Sequence, residues 1–249
     1  MKQSFYLLLL SLSFLLTACH TGTKQEGSIA SFDFDQDSII CKIQAEVPEQ
    51  VLSSAVGEWM VEQLGGYYTG DATDMQAIVD FYGKALSDTL LQALPDSFSG
   101  EVAYEAEMNK AYETDQFVTY SFTSYLDLGG AHPTSVEAGA TFRKSDGRRL
   151  SWDIVQQNKS HIFKQMLTET LCDYFGVDDE TALNSLLWDS SSHEVPLPNT
   201  PPYLMENGIV VIYQQYEIAS YAMGMPGDTI PYERIKPVLT DWAQKLIAP

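Results

Sequence analysis

Residues 101–144 read EVAYEAEMNKAYETDQFVTYSFTSYLDLGGAHPTSVEAGATFRK. Apolar side chains recur at every second position: Val102, Tyr104, Ala106 and Met108, then Val118, Tyr120, Phe122, Leu126 and Leu128, then Val136 to Phe142. A period of two belongs to strands with one face buried, and consecutive strands with short connections are most simply antiparallel. This block therefore predicts a sheet.

Working outward, residues 38–47 alternate in the same way. Ile39, Cys41, Ile43, Ala45 and Val47 share one face, and Lys42, Gln44 and Glu46 share the other. Pro48 stops that strand. Residues 49–64 then place Val51, Leu52, Ala55, Val56, Trp59 and Met60 at helical spacing up to Gly65-Gly66, and Thr73 with Gln76 forms a capping box that opens a second helix ending at Pro95.

Downstream, Asp146-Gly147 marks a turn, and the spacing predicts helices over 160–175 and 180–188. A Ser/Pro-rich loop follows over 190–202, then a strand over 209–213, an extended region over 217–223 and a terminal helix over 231–247. The order β-α-α-βββ, then α-α-βββ-α, predicts an α+β fold in two lobes with mainly antiparallel sheets, residues 36–150 and 151–249.

The N-terminus carries an address. Lys2 precedes an apolar run over residues 5–16 that is too short to cross a bilayer, and Leu16-Thr17-Ala18-Cys19 follows at once. These residues match a lipoprotein signal peptide, residues 1–18, with lipidation expected on the Cys19 thiol. Residues 19–35 read as a flexible polar tether. The expected location is the cell envelope, with attachment to the membrane through the N-terminal lipid, on the periplasmic face or at the outer membrane of a Gram-negative cell.

Lys and Arg number 14 against 34 Asp and Glu, a net charge of −20. Such a chain repels phosphate backbones, so nucleic acid is excluded as a partner. Removal of residues 1–18, which include Lys2, makes the balance one unit more negative. Cys41 and Cys172 are the remaining cysteines, and they are expected as two unpaired thiols, with a disulfide the alternative in an oxidising compartment. The four histidines, His20, His132, His161 and His193, have no metal-ligand spacing. His193-Glu194 starts like a zincin helix, but Leu197 stands where a second histidine is needed. No metal, cofactor or catalytic constellation is expected.

Two stretches carry a family resemblance. Residues 120–153 read YSFTSYLDLGGAHPTSVEAGATFRKSDGRRLSWD, and residues 209–239 read IVVIYQQYEIASYAMGMPGDTIPYERIKPVL. Together they resemble the extracytoplasmic C-terminal domain of RsiV-type anti-sigma factors, and the preceding lobe resembles the PdaC-type region that accompanies it. The resemblance implies an extracytoplasmic binding domain, since that region of RsiV proteins binds lysozyme. The sigma-binding segment of those proteins and the catalytic domain of the related deacetylase have no counterpart in this sequence, so signalling and deacetylation are not implied. The expected role is a non-enzymatic binding domain for a basic protein such as a lysozyme-like muramidase, or for peptidoglycan. The alternative is an enzyme or accessory subunit acting on peptidoglycan.

Candidate binding residues follow from local pattern. Gly129, Gly130, His132 and Pro133 form a connection between strands, where paired glycines suggest backbone angles forbidden to β-branched residues. His132 there either contacts a ligand or holds the connection by packing and hydrogen bonding. Tyr213, Tyr216, Glu217 and Tyr221 gather around Gln214-Gln215, either as an exposed surface for a cationic partner or as part of the core.

Overall fold

The computed structural model describes residues 27–95, 100–188 and 195–248. Its larger sheet runs in the order β1 (Ile29–Gln36), β2 (Ile39–Glu46), β3 (Val102–Glu113), β4 (Phe117–Asp127) and β5 (Thr134–Arg143). β3, β4 and β5 are antiparallel neighbours, as the 101–144 pattern predicts. β2 and β3 are parallel instead. Between them the chain crosses one face of the sheet through α1 (Ser53–Gln63) and α2 (Met75–Ala93), the kind of crossover that parallel neighbours require.

β1 corrects the tether expected over residues 19–35. Ala30, Phe32 and Phe34 alternate with Ser31, Asp33 and Asp35, a short period of two that the acidic composition disguises, and the three apolar residues turn toward the helices. Asp37 and Ser38 close the β1–β2 hairpin with φ of 52° and 65°, the positive values of a two-residue turn whose twist matches its strands. Cys19 and the signal segment lie outside the described residues, as does the His193-Glu194 pair.

α1 and α2 cover the apolar face. Trp59 meets Phe122 and Phe142 edge-on at 6.5 and 6.1 Å, above Ile43, Met108 and Ala138. Burial of a side chain of this size stabilises by ~1.5–3 kcal/mol. The expected capping box is displaced by one residue. Asp74 is the N-cap and accepts from the Ala77 N–H at 3.0 Å, while Thr73 bonds Asp71. Freed from that role, Gln76 reaches β1, where its amide accepts from the Ser31 N–H and donates to the Ser31 carbonyl.

The second lobe contains α3 (Ser160–Phe175), α4 (Glu180–Asn184) and a three-stranded antiparallel sheet of β6 (Tyr203–Leu204), β7 (Gly208–Ile212) and β8 (Gly227–Pro231). The chain then forms α5 (Tyr232–Ile235), a single 3-10 turn at Lys236–Val238, and α6 (Asp241–Leu246). The unbroken helix expected over 231–247 fails at Pro237, which has no N–H to continue the ladder. Residues 217–223 are not extended either, because Glu217 N–H closes a turn onto the Gln214 carbonyl and Tyr221–Met223 is a 3-10 turn. Phe163, Leu167, Ile209, Ile230, Ile235 and Leu239 form this lobe's core. The molecule is α+β in two lobes.

The lobes meet over one end of the larger sheet. Phe117 and Thr119 point away from α1 and α2 and into the second lobe, and Gly139 lets the Tyr203 ring lie against β5, where a Cβ would stand 2.4 Å from that ring. Among the described residues, no helix lies on the remainder of this sheet face.

Candidate functional site

The uncovered face is read directly from the strand register. One row crosses all five strands as Asp33, Lys42, Glu105, Tyr125 and Ser135, and the next as Ser31, Gln44, Glu107, Thr123 and Glu137. Eight of these ten residues line a groove of about 490 Å³, with Met225 of the second lobe as part of its wall. The two rows hold four carboxylates and one ammonium. Among the described residues, the side chains of Lys42, Glu105, Glu107 and Glu137 form no hydrogen bond or ion pair. That contrasts with the pairs elsewhere, such as Lys144 with Glu113 and Arg149 with Glu62. The groove therefore offers unspent charge to a ligand.

Both edges of the sheet are blocked by glutamines. At β1 the Gln76 amide occupies Ser31, as described. At β5 the Gln214 amide accepts from the Glu137 N–H at 3.2 Å and donates to the Glu137 carbonyl at 2.7 Å, while Gln215 accepts from the Ser135 N–H at 3.0 Å. These side chains take the places of a neighbouring strand and close the edge to strand addition at those positions. They also fix the 213–226 segment beside the groove.

The candidate residues from sequence divide into two groups. Tyr213 is buried, donates its hydroxyl to the Pro196 carbonyl at 2.6 Å, and burial drives its pKa well above the ordinary phenol value. The Glu217 carboxylate accepts from the Gln214 and Asn199 N–H groups at 2.7 and 2.6 Å and so pins the turn. These two belong to the scaffold. His132, Tyr216 and Tyr221 come together at the surface. His132 stacks on Tyr221 with ring centroids 3.7 Å apart, and its Nε2 lies 3.0 Å from the Tyr216 hydroxyl. The Pro133 carbonyl, 3.0 Å from Nδ1, can only accept, so Nδ1 carries a hydrogen and neutral His132 accepts from Tyr216 through Nε2.

Gly129 and Gly130 behave differently. Gly129 takes φ of +69° and its N–H donates to Asp127 at 2.8 Å, whereas Gly130 has no positive φ and open space where a Cβ would stand. The special backbone angle expected at both glycines belongs to Gly129 alone.

At the same end of the groove, the Tyr125 hydroxyl reaches Asp127 at 3.4 Å. Its pKa is raised, first by desolvation, then by the Asp127 charge and its hydrogen bond, then by the neighbouring Tyr221 and Glu105. Ser135, the β5 partner of Tyr125 in the groove, also holds the Gln215 amide beside Tyr216, so the aromatic cluster adjoins the groove. Cys41 is buried beneath β2 against the Gly83 carbonyl, where burial lifts its pKa to about 11, and Cys172 lies in the second lobe. Both are free thiols. Among the described residues, no group of three or more His, Cys, Asp and Glu side chains is placed to hold a metal, and no helix is long and apolar enough to cross a membrane.

Sequence pattern alone does not find the groove. The signal was present as the polar phase of each alternation, Lys42 and Gln44 or Glu105 and Glu107, but that phase normally marks a solvated face. Only the register shows that five such phases align and that the second lobe walls them in.

The fold has solved relatives. A member of the DUF3298 family from Bacteroides fragilis superposes with a TM-score of 0.66 at 17% identity, covering 89% of this chain and 98% of that one. A DUF3298 family protein from Pseudomonas aeruginosa PAO1 gives a TM-score of 0.60 at 16% identity, covering 87% and 93%. No curated protein matches the chain. The second lobe is the part that matches at the level of sequence family: residues 153–233 match the model of DUF3298, a protein family of unknown function.

Proposed function

We propose that this protein is a lipid-anchored component of a bacterial cell envelope that binds a basic protein, of the lysozyme-like muramidase class, on the open face of its larger sheet. The observation that carries this reading is the set of carboxylates unpaired among the described residues, Glu105 and Glu107 exposed and Glu137 half-buried, along a groove of a strongly acidic chain. An acidic surface of this kind attracts a cationic partner over a distance set by screening, ~8 Å at physiological ionic strength, and raises its association rate. The resemblance of residues 120–153 and 209–239 to the lysozyme-binding region of RsiV-type proteins points to the same class of partner. The Cys19 lipobox supplies the location, because multiple acyl chains anchor a protein stably where one does not.

Calorimetric titration of the full chain with hen lysozyme at low and high salt tests this reading. Salt-sensitive binding supports it. Absence of binding to any muramidase contradicts it, and release of sugar or acetate from cell walls replaces it with an enzyme acting on peptidoglycan.

A further inference from the structure

Tyr216 is a costly residue for the backbone conformation it holds. Its φ of +65° lies in the left-handed region, which Gly or Asn adopts at lower cost, and the residue remains 53% exposed. A side chain that is both strained and unburied is not explained by packing, and such residues concentrate where a ligand is held. What the ring does have is a fixed orientation. Its hydroxyl donates to His132 Nε2, the other nitrogen of His132 is held by the Pro133 carbonyl, and His132 stacks on Tyr221. Tyr216 also lies within 6.0 Å of both rings, centroid to centroid, at tilts of 39° and 38°.

This end of the surface differs chemically from the groove. Asp127, on the β4 side, already accepts from the Gly129 N–H and the Tyr125 hydroxyl through separate oxygens, and Glu217, next to Tyr216, is occupied by the Gln214 and Asn199 N–H groups. The cluster therefore presents ring faces, hydroxyls and amides rather than free charge. Beyond Tyr125 and Ser135 lie the Thr123 hydroxyl and the Gln44 amide, lining the same groove. A pyranose ring needs this combination: an aromatic face for its C–H side and fixed donors and acceptors for the hydroxyls at its rim.

We propose that Tyr216 and His132 form a saccharide-stacking subsite, which takes a neutral oligosaccharide whose chain continues past Tyr125 into the groove. The subsite uses different residues from the carboxylates that recognise a basic protein, and the two readings stand or fall separately.

The test is titration of the full chain, in detergent, with the tetramer of N-acetylglucosamine, followed by calorimetry or tyrosine resonance shifts. Saturable binding that is indifferent to salt is expected. Tyr216→Ala is expected to weaken it at least about tenfold, and Tyr216→Phe, which keeps the ring, to retain it within about threefold. Tyr216→Asn separates ligand contact from scaffold: asparagine suits the left-handed backbone, so the melting temperature is expected to hold or rise while saccharide binding is lost. No saturable binding, or equal binding by Tyr216→Ala and the native chain, overturns the proposal.

Discussion

The hydroxyls of Thr119 and Thr141 lie 2.8 Å apart, buried on neighbouring strands of the larger sheet, and together they hold Leu204 of the second lobe. The Leu204 N–H donates to Thr141 at 2.8 Å and the Leu204 carbonyl accepts from Thr119 at 2.7 Å. With Thr141 donating to Thr119, each hydroxyl gives one hydrogen bond and accepts one, and the circuit closes without an unsatisfied atom. This circuit sets the second lobe against β4 and β5 and so places the 213–226 segment along the groove.

Thr119→Val keeps the shape of the side chain and removes the donor to the Leu204 carbonyl. It leaves that carbonyl and the hydroxyl hydrogen of Thr141 unpaired in the interior, so a loss of about 1–3 kcal/mol is expected in urea unfolding. Ser121, two residues along the same strand, offers a control. It is half-buried and its hydroxyl is weakly bonded, at 3.4 Å from the Asn109 carbonyl, so Ser121→Ala is expected to change stability by less than about 0.5 kcal/mol.

The two loop glycines are expected to respond in opposite ways. Gly129→Ala forces a side chain into φ of +69° and costs on the order of 1 kcal/mol, whereas Gly130→Val meets open space and leaves the melting temperature nearly unchanged. Thermal melting of both variants checks this. Equal destabilisation would mean that both positions need glycine.

Alkaline pH is expected to destabilise the fold. Burial raises the Cys41 thiol to about 11, and it raises Tyr104 to about 12, with smaller contributions from Cys41 and Tyr67, as well as Tyr203 to about 12, with Glu137 contributing. These groups hold their protons more tightly folded than unfolded. Their contribution is complete below pH 9 and falls away as pH rises from about 9 through 11–12. Melting temperature measured from pH 8 to 11 checks the direction, and Cys41→Ala is expected to flatten the part of the decline between pH 9 and 11. In native protein at pH 8, iodoacetamide is expected to label Cys172 and spare Cys41.

Much of the architecture was legible because apolar phase is a local signal. β3, β4, β5 and α3 lie where alternation and helical spacing put them, since each buries one face against a single neighbour. β1 was not legible: Ala30, Phe32 and Phe34 are too few among Asp, Ser and Gln to stand out, and they are ordered by pairing with β2. Residues 217–223 misled for the converse reason. Their apolar content suggested an extended segment, but the Glu217 carboxylate and the positive φ of Tyr216 bend the chain. At the site, His132, Tyr216 and Tyr221 could be nominated as residue types, but their meeting across 84 positions of sequence is set by tertiary contacts. Tyr213 and Glu217, nominated with them, went to the scaffold.

Cys19→Ala is expected to move the protein out of the membrane fraction or leave an uncleaved precursor, because lipid attachment at this position requires sulfur. Metabolic labelling with a fatty-acid analogue reads the result. Lipid incorporation by the alanine variant would refute the address.

The most direct test of the account is the salt dependence of lysozyme binding by the native chain and by the triple variant Glu105→Gln, Glu107→Gln, Glu137→Gln. Exposed ion pairs contribute ~0.2–1 kcal/mol each, so the variant is expected to bind on the order of tenfold more weakly at low salt. It is also expected to show a shallower loss of affinity as salt rises, with an unchanged melting temperature. Equal affinity and equal salt dependence in the two proteins would contradict the claim that this open sheet face is where a basic partner docks.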